Sequence, residues 1–370
     1  MGGYAKANAV MTRRGMIGAA TLAAVGVTAG AARAGVKGWH YPDEARPHAR
    51  TFMQWPVSRA VYRDTVFLGM VQQTIADIAN TIAEFEPVVM LVAGTHQAKA
   101  RRKLSSAVEM WDIPTDDLWA RDSGPSFVVD GGGNLGLAQF NFNGWGGKQA
   151  HPNDGQIAAR VAQRLGLPIV DTGIIGEAGG VETDGAGTLI AHESSWINQN
   201  RNKEGKVQIE ARLLALMGAR KMIWAPGIAG ADITDFHIDA LARFAGKGRV
   251  VIQMGDLVDP SDPWSVAGVQ TRDILAAATD ADGRKLDLVV IPDPIRTRVD
   301  SADFVASYVN YYVCNGAVIC AQFGDKKADA RAAEVLGALY PGREVVALNV
   351  DPLGEIGGGI HCATHEQPQV

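Results

Sequence analysis

Five times along this chain, a segment with helical spacing of apolar residues runs into a short apolar run that reads as a buried strand. Val61 to Phe85 leads into Pro87 to Val92, Ile157 to Leu165 into Pro168 to Val170, and Val207 to Met217 into Met222 to Trp224. Thr271 to Ala278 leads into Leu286 to Ile291, and Ala328 to Leu339 into Val345 to Leu348. Further strand-like runs lie between them at Ser126 to Val129, Thr188 to Ala191, Val250 to Gln253 and Tyr311 to Cys320. Alternating helices and strands ordinarily build a doubly wound sheet or a barrel. Here no glycine fingerprint opens a first strand–turn–helix, and the strands outnumber the helices. A recurrence at this period also fits modular blades set in a ring. Periodicity alone leaves the choice open.

Composition narrows the class. With 47% hydrophobic and 20% charged residues the chain is no disordered polymer, and three cysteines in 370 residues do not make a disulfide scaffold. Arg13-Arg14, the uncharged stretch Gly15 to Ala32 and the small-residue site Ala32-Arg33-Ala34 read as a twin-arginine export signal over residues 1–34. An uncleaved anchor is the alternative, but the stretch is mostly Ala, Gly, Val and Thr, weak for a permanent span. Residues 35–370 then form one catalytic domain that is periplasmic or secreted. Losing Lys6, Arg13, Arg14 and Arg33 takes the net charge from −5 to −9. That acidity argues against nucleic acid, which needs clustered Lys and Arg, and suits a cationic substrate. Cys314 and Cys320 cannot bridge along one extended strand, whereas a hairpin at Asn315-Gly316 leaves a disulfide open. The sequence does not fix the oligomeric state, a homo-oligomer included.

Four segments place ionisable groups among glycines and aromatics. Leu118 to Pro125 presents Asp122 before Gly-Pro; by itself this reads as an Asp capping a turn. Glu177 to Gly185 reads as a hairpin with charged turn residues. In Asp232 to Ala240, His237 and Asp239 share one face if the segment is a strand. Gly357 to His365 puts three glycines ahead of Ile360-His361-Cys362. Glycine-rich access, a cysteine and a distant histidine fit a thiol nucleophile with its base. His361, Cys362 and His365 could also be soft metal ligands, but they lack a fourth ligand at usual spacing.

Together the segments resemble one family, the agmatine deiminases and their bacterial peptidylarginine deiminase relatives. The resemblance begins at Thr51-Phe52-Met53-Gln54-Trp55-Pro56 and runs through Trp119 to Pro125, Phe142 to Lys148, Asn198 to Asn202 and His237-Ile238-Asp239. It continues in Ala306 to Tyr312, Gln322 to Asp325 and Gly357 to Pro368. It implies the α/β pentein fold, a five-bladed propeller of ββαβ modules. It implies Cys362 as nucleophile, His237 as general acid/base, and Asp122 and Asp239 as carboxylates clasping a guanidinium. Glu177 would contact the guanidinium or orient His237, and Trp119 would line the pocket. A guanidinium donates hydrogen bonds in a planar fork, so carboxylates are its natural partners. No metal or organic cofactor is needed.

The chain departs from the family pattern at Ala178 (Gly in Glu-Gly-Gly), at Glu182 (often His), at Phe236 (often small) and at Gly359 (Asn in Gly-Gly-Asn-Ile-His-Cys). None of these holds one of the five roles. Agmatine hydrolysis to N-carbamoylputrescine and ammonia is the leading expectation. Peptidylarginine or another guanidine is the alternative substrate, and a non-catalytic periplasmic binding protein is the reading from another class.

Overall fold

A computed structural model of the chain describes residues 33–34, 38–255, 257–301 and 303–370. The export signal expected over 1–34 lies outside these residues except for Arg33–Ala34. Those two pair in parallel with Ile169–Val170, at the edge of a sheet.

The strands make five sheets, and all five repeat one pattern. An inner strand pairs antiparallel with a middle strand, a helix follows, and an outer strand returns parallel to the middle one. In the second blade these are Ser126–Asp130, Leu135–Gln139, helix Ile157–Leu165 and Ile169–Asp171. In the third they are Val181–Thr183, Thr188–His192, helix Lys206–Met217 and Lys221–Ala225. The fourth uses Ala242–Phe244, Arg249–Met254, helix Pro263–Ala277 and Asp287–Pro292. The fifth uses Tyr312–Val313, Ala317–Ala321, helix Lys326–Leu339 and Glu344–Leu348.

The first blade is assembled from both ends of the domain. Its inner strand is His365–Pro368, paired antiparallel with His48–Gln54; helix Thr65–Ile82 and Val88–Leu91 complete it. This is the expected ββαβ pentein propeller, and closing it ties the C-terminus to the first middle strand. The middle strands carry continuous burial, as at Ala317–Ala321, because sheet neighbours and a helix cover them.

One local expectation changes and one open choice is decided. The fourth helix begins at Pro263 rather than Thr271, because Asp262 caps it through the amides of Trp264 and Ser265 and proline is favoured in a first turn. Of the two readings of Tyr311 to Cys320, one strand or two pieces, the structure has the two pieces. Asn315-Gly316 turn a hairpin with Cys314 and Ala317 exchanging backbone bonds. Cys314 and Cys320 are free thiols, and burial pushes both up to about 12.

Candidate active site

The turn ahead of each inner strand brings a residue to one place. Asp122 lies in the short helix Ala120–Ser123 before Ser126, and Glu177 stands just before the 3-10 turn Ala178–Gly180. His237 caps the 3-10 turn Ile238–Ala240, which contains Asp239. Cys362 precedes His365. His237 and Asp239 therefore do not share a strand face. His237 is extended and Asp239 is helical, and the bend between them aims both inward.

That bend is prepared by two consecutive left-handed residues, Asp235 (φ 61°) and Phe236 (φ 69°). Such a pair needs outside support. Asp235 Oδ2 takes Arg201 Nη1 at 2.6 Å and Lys148 Nζ at 2.8 Å, and its Oδ1 takes the Gly230 amide. The Phe236 ring packs against His192 and edge-on to Trp264, so its bulk points away from the site.

Each of the two aspartates has one oxygen pinned and one that accepts no hydrogen bond, although His237 Nδ1 stands 3.6 Å from Asp122 Oδ1. Trp145 Nε1 donates to Asp122 Oδ2 at 2.9 Å, and His361 Nδ1 lies 2.8 Å from Asp239 Oδ2. Asp122 Oδ1 and Asp239 Oδ1 are buried and accept no hydrogen bond. A buried, unpaired carboxylate oxygen is costly, and two together mark a place for a cationic donor. The space is kept by Gly179. A Cβ there would lie 2.7 Å from Asp122 Oδ1, 2.9 Å from His237 Nδ1 and 3.2 Å from Asp239 Oδ2. Cys362 Sγ is 3.7 Å from Asp239 Oδ2.

Glu177 serves the histidine. Its Oε2 is 3.1 Å from His237 Nε2, and Arg201 Nε donates to both its oxygens at 3.0 and 2.9 Å. Both Glu177 oxygens are thus taken within the protein, Oε2 by Arg201 and His237 and Oε1 by Arg201. Trp119 is nearly buried, its ring against Gly358 of the turn ahead of Cys362. Behind the site, Glu44 Oε2 receives Arg121, Arg243 and His361 within 3.0 Å, and Glu182 receives Arg243 Nε at 2.9 Å. The Glu182 departure thus belongs to a buried ionic lattice. The His365 nitrogens meet Tyr41 Oη and the Ala120 carbonyl.

The electrostatics follow from this crowding. Burial lowers the His237 pKa, but Asp122 and Glu177 outweigh it and raise it to about 9. Burial raises Asp122 to about 6; His237 opposes this and Glu177 and Asp239 add to it. Burial, Asp239 and Asp122 push the Cys362 thiol well above its ordinary value. At neutral pH these shifts favour an imidazolium at His237 and a thiol at Cys362, and the carboxylates around them favour a cation.

Asn310, Trp145, Arg201 and His361 carry contacts that sequence reasoning did not assign. All four lie in segments that support the resemblance, and that was the available signal: Asn310 and His361 stand in turns ahead of inner strands, Trp145 and Arg201 in the connections that follow the middle strands Leu135–Gln139 and Thr188–His192.

The family model for Porphyromonas-type peptidyl-arginine deiminase matches residues 40–368. The chain belongs to this family. Its members are hydrolases of guanidino C–N bonds. A Streptomyces coelicolor relative is 35% identical over 337 residues, 89% of this chain and 98% of its own length. The agmatine deiminase of Medicago truncatula is 32% identical over 369 residues, covering 90% of this chain and 97% of the plant protein. The solved structure of the Enterococcus faecalis agmatine deiminase superposes with a TM-score of 0.82 at 26% identity, covering 90% of this chain and 96% of that one.

Proposed function

We propose that this deiminase hydrolyses agmatine to N-carbamoylputrescine and ammonia. The observation that carries the guanidinium is the pair of buried carboxylates beside Gly179: Asp122 Oδ1 and Asp239 Oδ2 face that space, and Asp122 Oδ1 and Asp239 Oδ1 each lack a hydrogen bond. The choice of agmatine rests on relatives bearing that name along nearly their whole length. Burial supports a slender substrate: Asp122, Glu177, His237 and Asp239 are buried and Cys362 is half-buried, so the guanidinium enters past the sulfur.

The cation between Asp122 and Asp239 offsets the two charges that hold the proton on Cys362, and the half-buried thiol releases that proton to solvent as the substrate settles. The thiolate attacks the guanidinium carbon, forming the S–C bond. His237, already an imidazolium, protonates one amino group from Nδ1, the C–N bond breaks and ammonia leaves. An amidino-thioether remains on Cys362. Neutral His237 then takes a proton from water as its oxygen attacks the same carbon. The adduct collapses to the urea, the C–S bond breaks, and the hydroxyl proton leaves with the sulfur. Proton transfer of this kind contributes about 10²–10⁴-fold.

We place the enzyme outside the cytoplasm on the strength of its twin-arginine leader. The deciding experiment is ammonia release by the purified protein from agmatine and from a blocked arginyl peptide, with Cys362→Ala beside each. Release from agmatine that the variant abolishes supports the proposal. Release from the peptide alone moves the substrate to protein-bound arginine, and silence with both overturns turnover of either.

A further inference from the structure

The turn ahead of the fifth blade's inner strand brings Asn310 Nδ2 to 3.1 Å from Cys362 Sγ. On the other side of the nucleophile, the chain places His361 behind the site, 2% exposed. Its Nδ1 is 2.8 Å from Asp239 Oδ2. Its Nε2 is 2.8 Å from Glu44 Oε2 and 3.8 Å from Glu182 Oε1. A carboxylate only accepts, and a neutral imidazole carries a single N–H. Both short contacts are hydrogen bonds at once only if both ring nitrogens carry protons. The geometry therefore calls for an imidazolium with Asp239 on one side and Glu44 on the other.

Glu44 cannot hold that charge alone. Its Oε2 also takes Arg121 Nη2 at 3.0 Å and Arg243 Nη2 at 2.9 Å. Of the three cations, His361 is the one able to shed its proton, since a guanidinium keeps its own. Two further carboxylates relieve the crowding: Glu366 lies 3.0 Å from Arg121 Nη2, and Glu182 lies 2.9 Å from Arg243 Nε. Arg121, Arg243 and the imidazolium are then balanced by Glu44, Glu182 and Glu366, and the charge of Asp239 is left over for a ligand. These groups border a cavity of about 30 Å³, room for about two waters, too few to hydrate an unbalanced ion.

We propose that Glu182 is a positioning residue of this hydrolase: by its charge it keeps both His361 nitrogens protonated, and His361 in turn keeps Asp239 aligned for the guanidinium. This gives the departure at 182 a consequence for the substrate. A histidine there would remove the balancing charge and leave one carboxylate fewer for the same cations. Burial pushes Glu182 above its ordinary value, and Arg243 and His361 oppose it. Burial also raises Asp239, but the bond and charge of His361 outweigh it and hold that carboxyl below its ordinary value.

The inference rests on Asp239 clasping the guanidinium, and its test separates the two ideas. Protein carrying isotope-labelled histidine is read by proton–nitrogen correlation NMR at neutral pH with no guanidine present, His361→Gln assigning the signal. Beside it, kcat and KM are measured for ammonia release from agmatine. In the parent, both His361 nitrogens carry protons. Glu182→Gln keeps an acceptor for Arg243 Nε and removes only the charge. One His361 nitrogen then loses its proton, and KM rises by about 10- to 100-fold while kcat changes less, as for a lost bond to a charged group. Glu182→His acts in the same direction, whereas Glu182→Asp keeps the charge and stays near the parent in both readouts. In a His361→Gln background the effect of Glu182→Gln on KM shrinks. The parent spectrum needs no variant to fold: a single protonated nitrogen on His361 would overturn the proposal. So would a Glu182→Gln protein that keeps both protons or the parental KM. A changed His361 signal in a protein that leaves agmatine untouched would uphold the link through His361 and sink only the substrate.

Discussion

At the scale of single residues, the site works by holding charges in the wrong place until a cation arrives. His237 near 9 and Asp122 near 6 predict a bell-shaped kcat/KM. Below about 6, Asp122 is protonated and the cation loses a partner. Above about 9, His237 has lost the proton that ammonia needs. These are properties of the coupled cluster, and a profile flat from pH 5 to 10 would contradict them. The same shift has a stability consequence. An acid whose folded pKa is raised stabilises the protein only below its unfolded pKa, and that contribution is gone once pH passes about 6. Asp122→Asn is therefore expected to melt at or above the parent temperature at pH 8, while activity falls by about 10²–10³-fold. Gly179→Ala should lower the melting temperature and raise KM for agmatine, because its methyl presses on buried Asp122 and His237 and occupies the guanidinium site.

At the scale of elements, the turn before the fourth blade is under the most strain. Asp235 and Phe236 hold left-handed backbone only because Arg201, Lys148 and Asn200 fasten Asp235 from the neighbouring segments. Arg201 in turn fastens Glu177, so one guanidinium sets both the histidine's partner and the bend that delivers the histidine. Removing one partner of such a buried pair costs about 3–5 kcal/mol. Arg201→Met should lose stability on that scale in urea titrations. It should also lower kcat more than KM rises, since it misplaces His237 without touching the guanidinium oxygens.

For the whole molecule, each blade contributes one turn to the site, and the ring closes through the C-terminal strand. His365–Pro368 begins three residues after Cys362 and pairs with His48–Gln54. The nucleophile is therefore positioned only once the propeller is shut. Truncation after Thr364 is predicted to abolish the cooperative unfolding transition seen by circular dichroism, rather than give a folded inactive protein. By contrast, starting the chain at Lys37 removes, among the described residues, a two-residue edge strand, and stability should change by less than about 1 kcal/mol.

The apolar spacing of residues such as Leu213 and Leu216, or Val335 and Leu336, determined the five helices, because a buried helical stripe must recur every third or fourth position. The family resemblance carried by the motifs marked Asp122, Glu177, His237, Asp239 and Cys362, whereas the Asp122 and Glu177 segments by themselves read as a capped turn and a hairpin. The tertiary structure alone decided the rest. That Glu177 is consumed by Arg201 and His237, that Trp145 and His361 each pin one aspartate oxygen, and that Asn310 faces the sulfur are contacts between turns far apart in sequence. No local pattern encodes which atom of a side chain is already taken. That depends on how closely five separately specified turns approach when the ring closes.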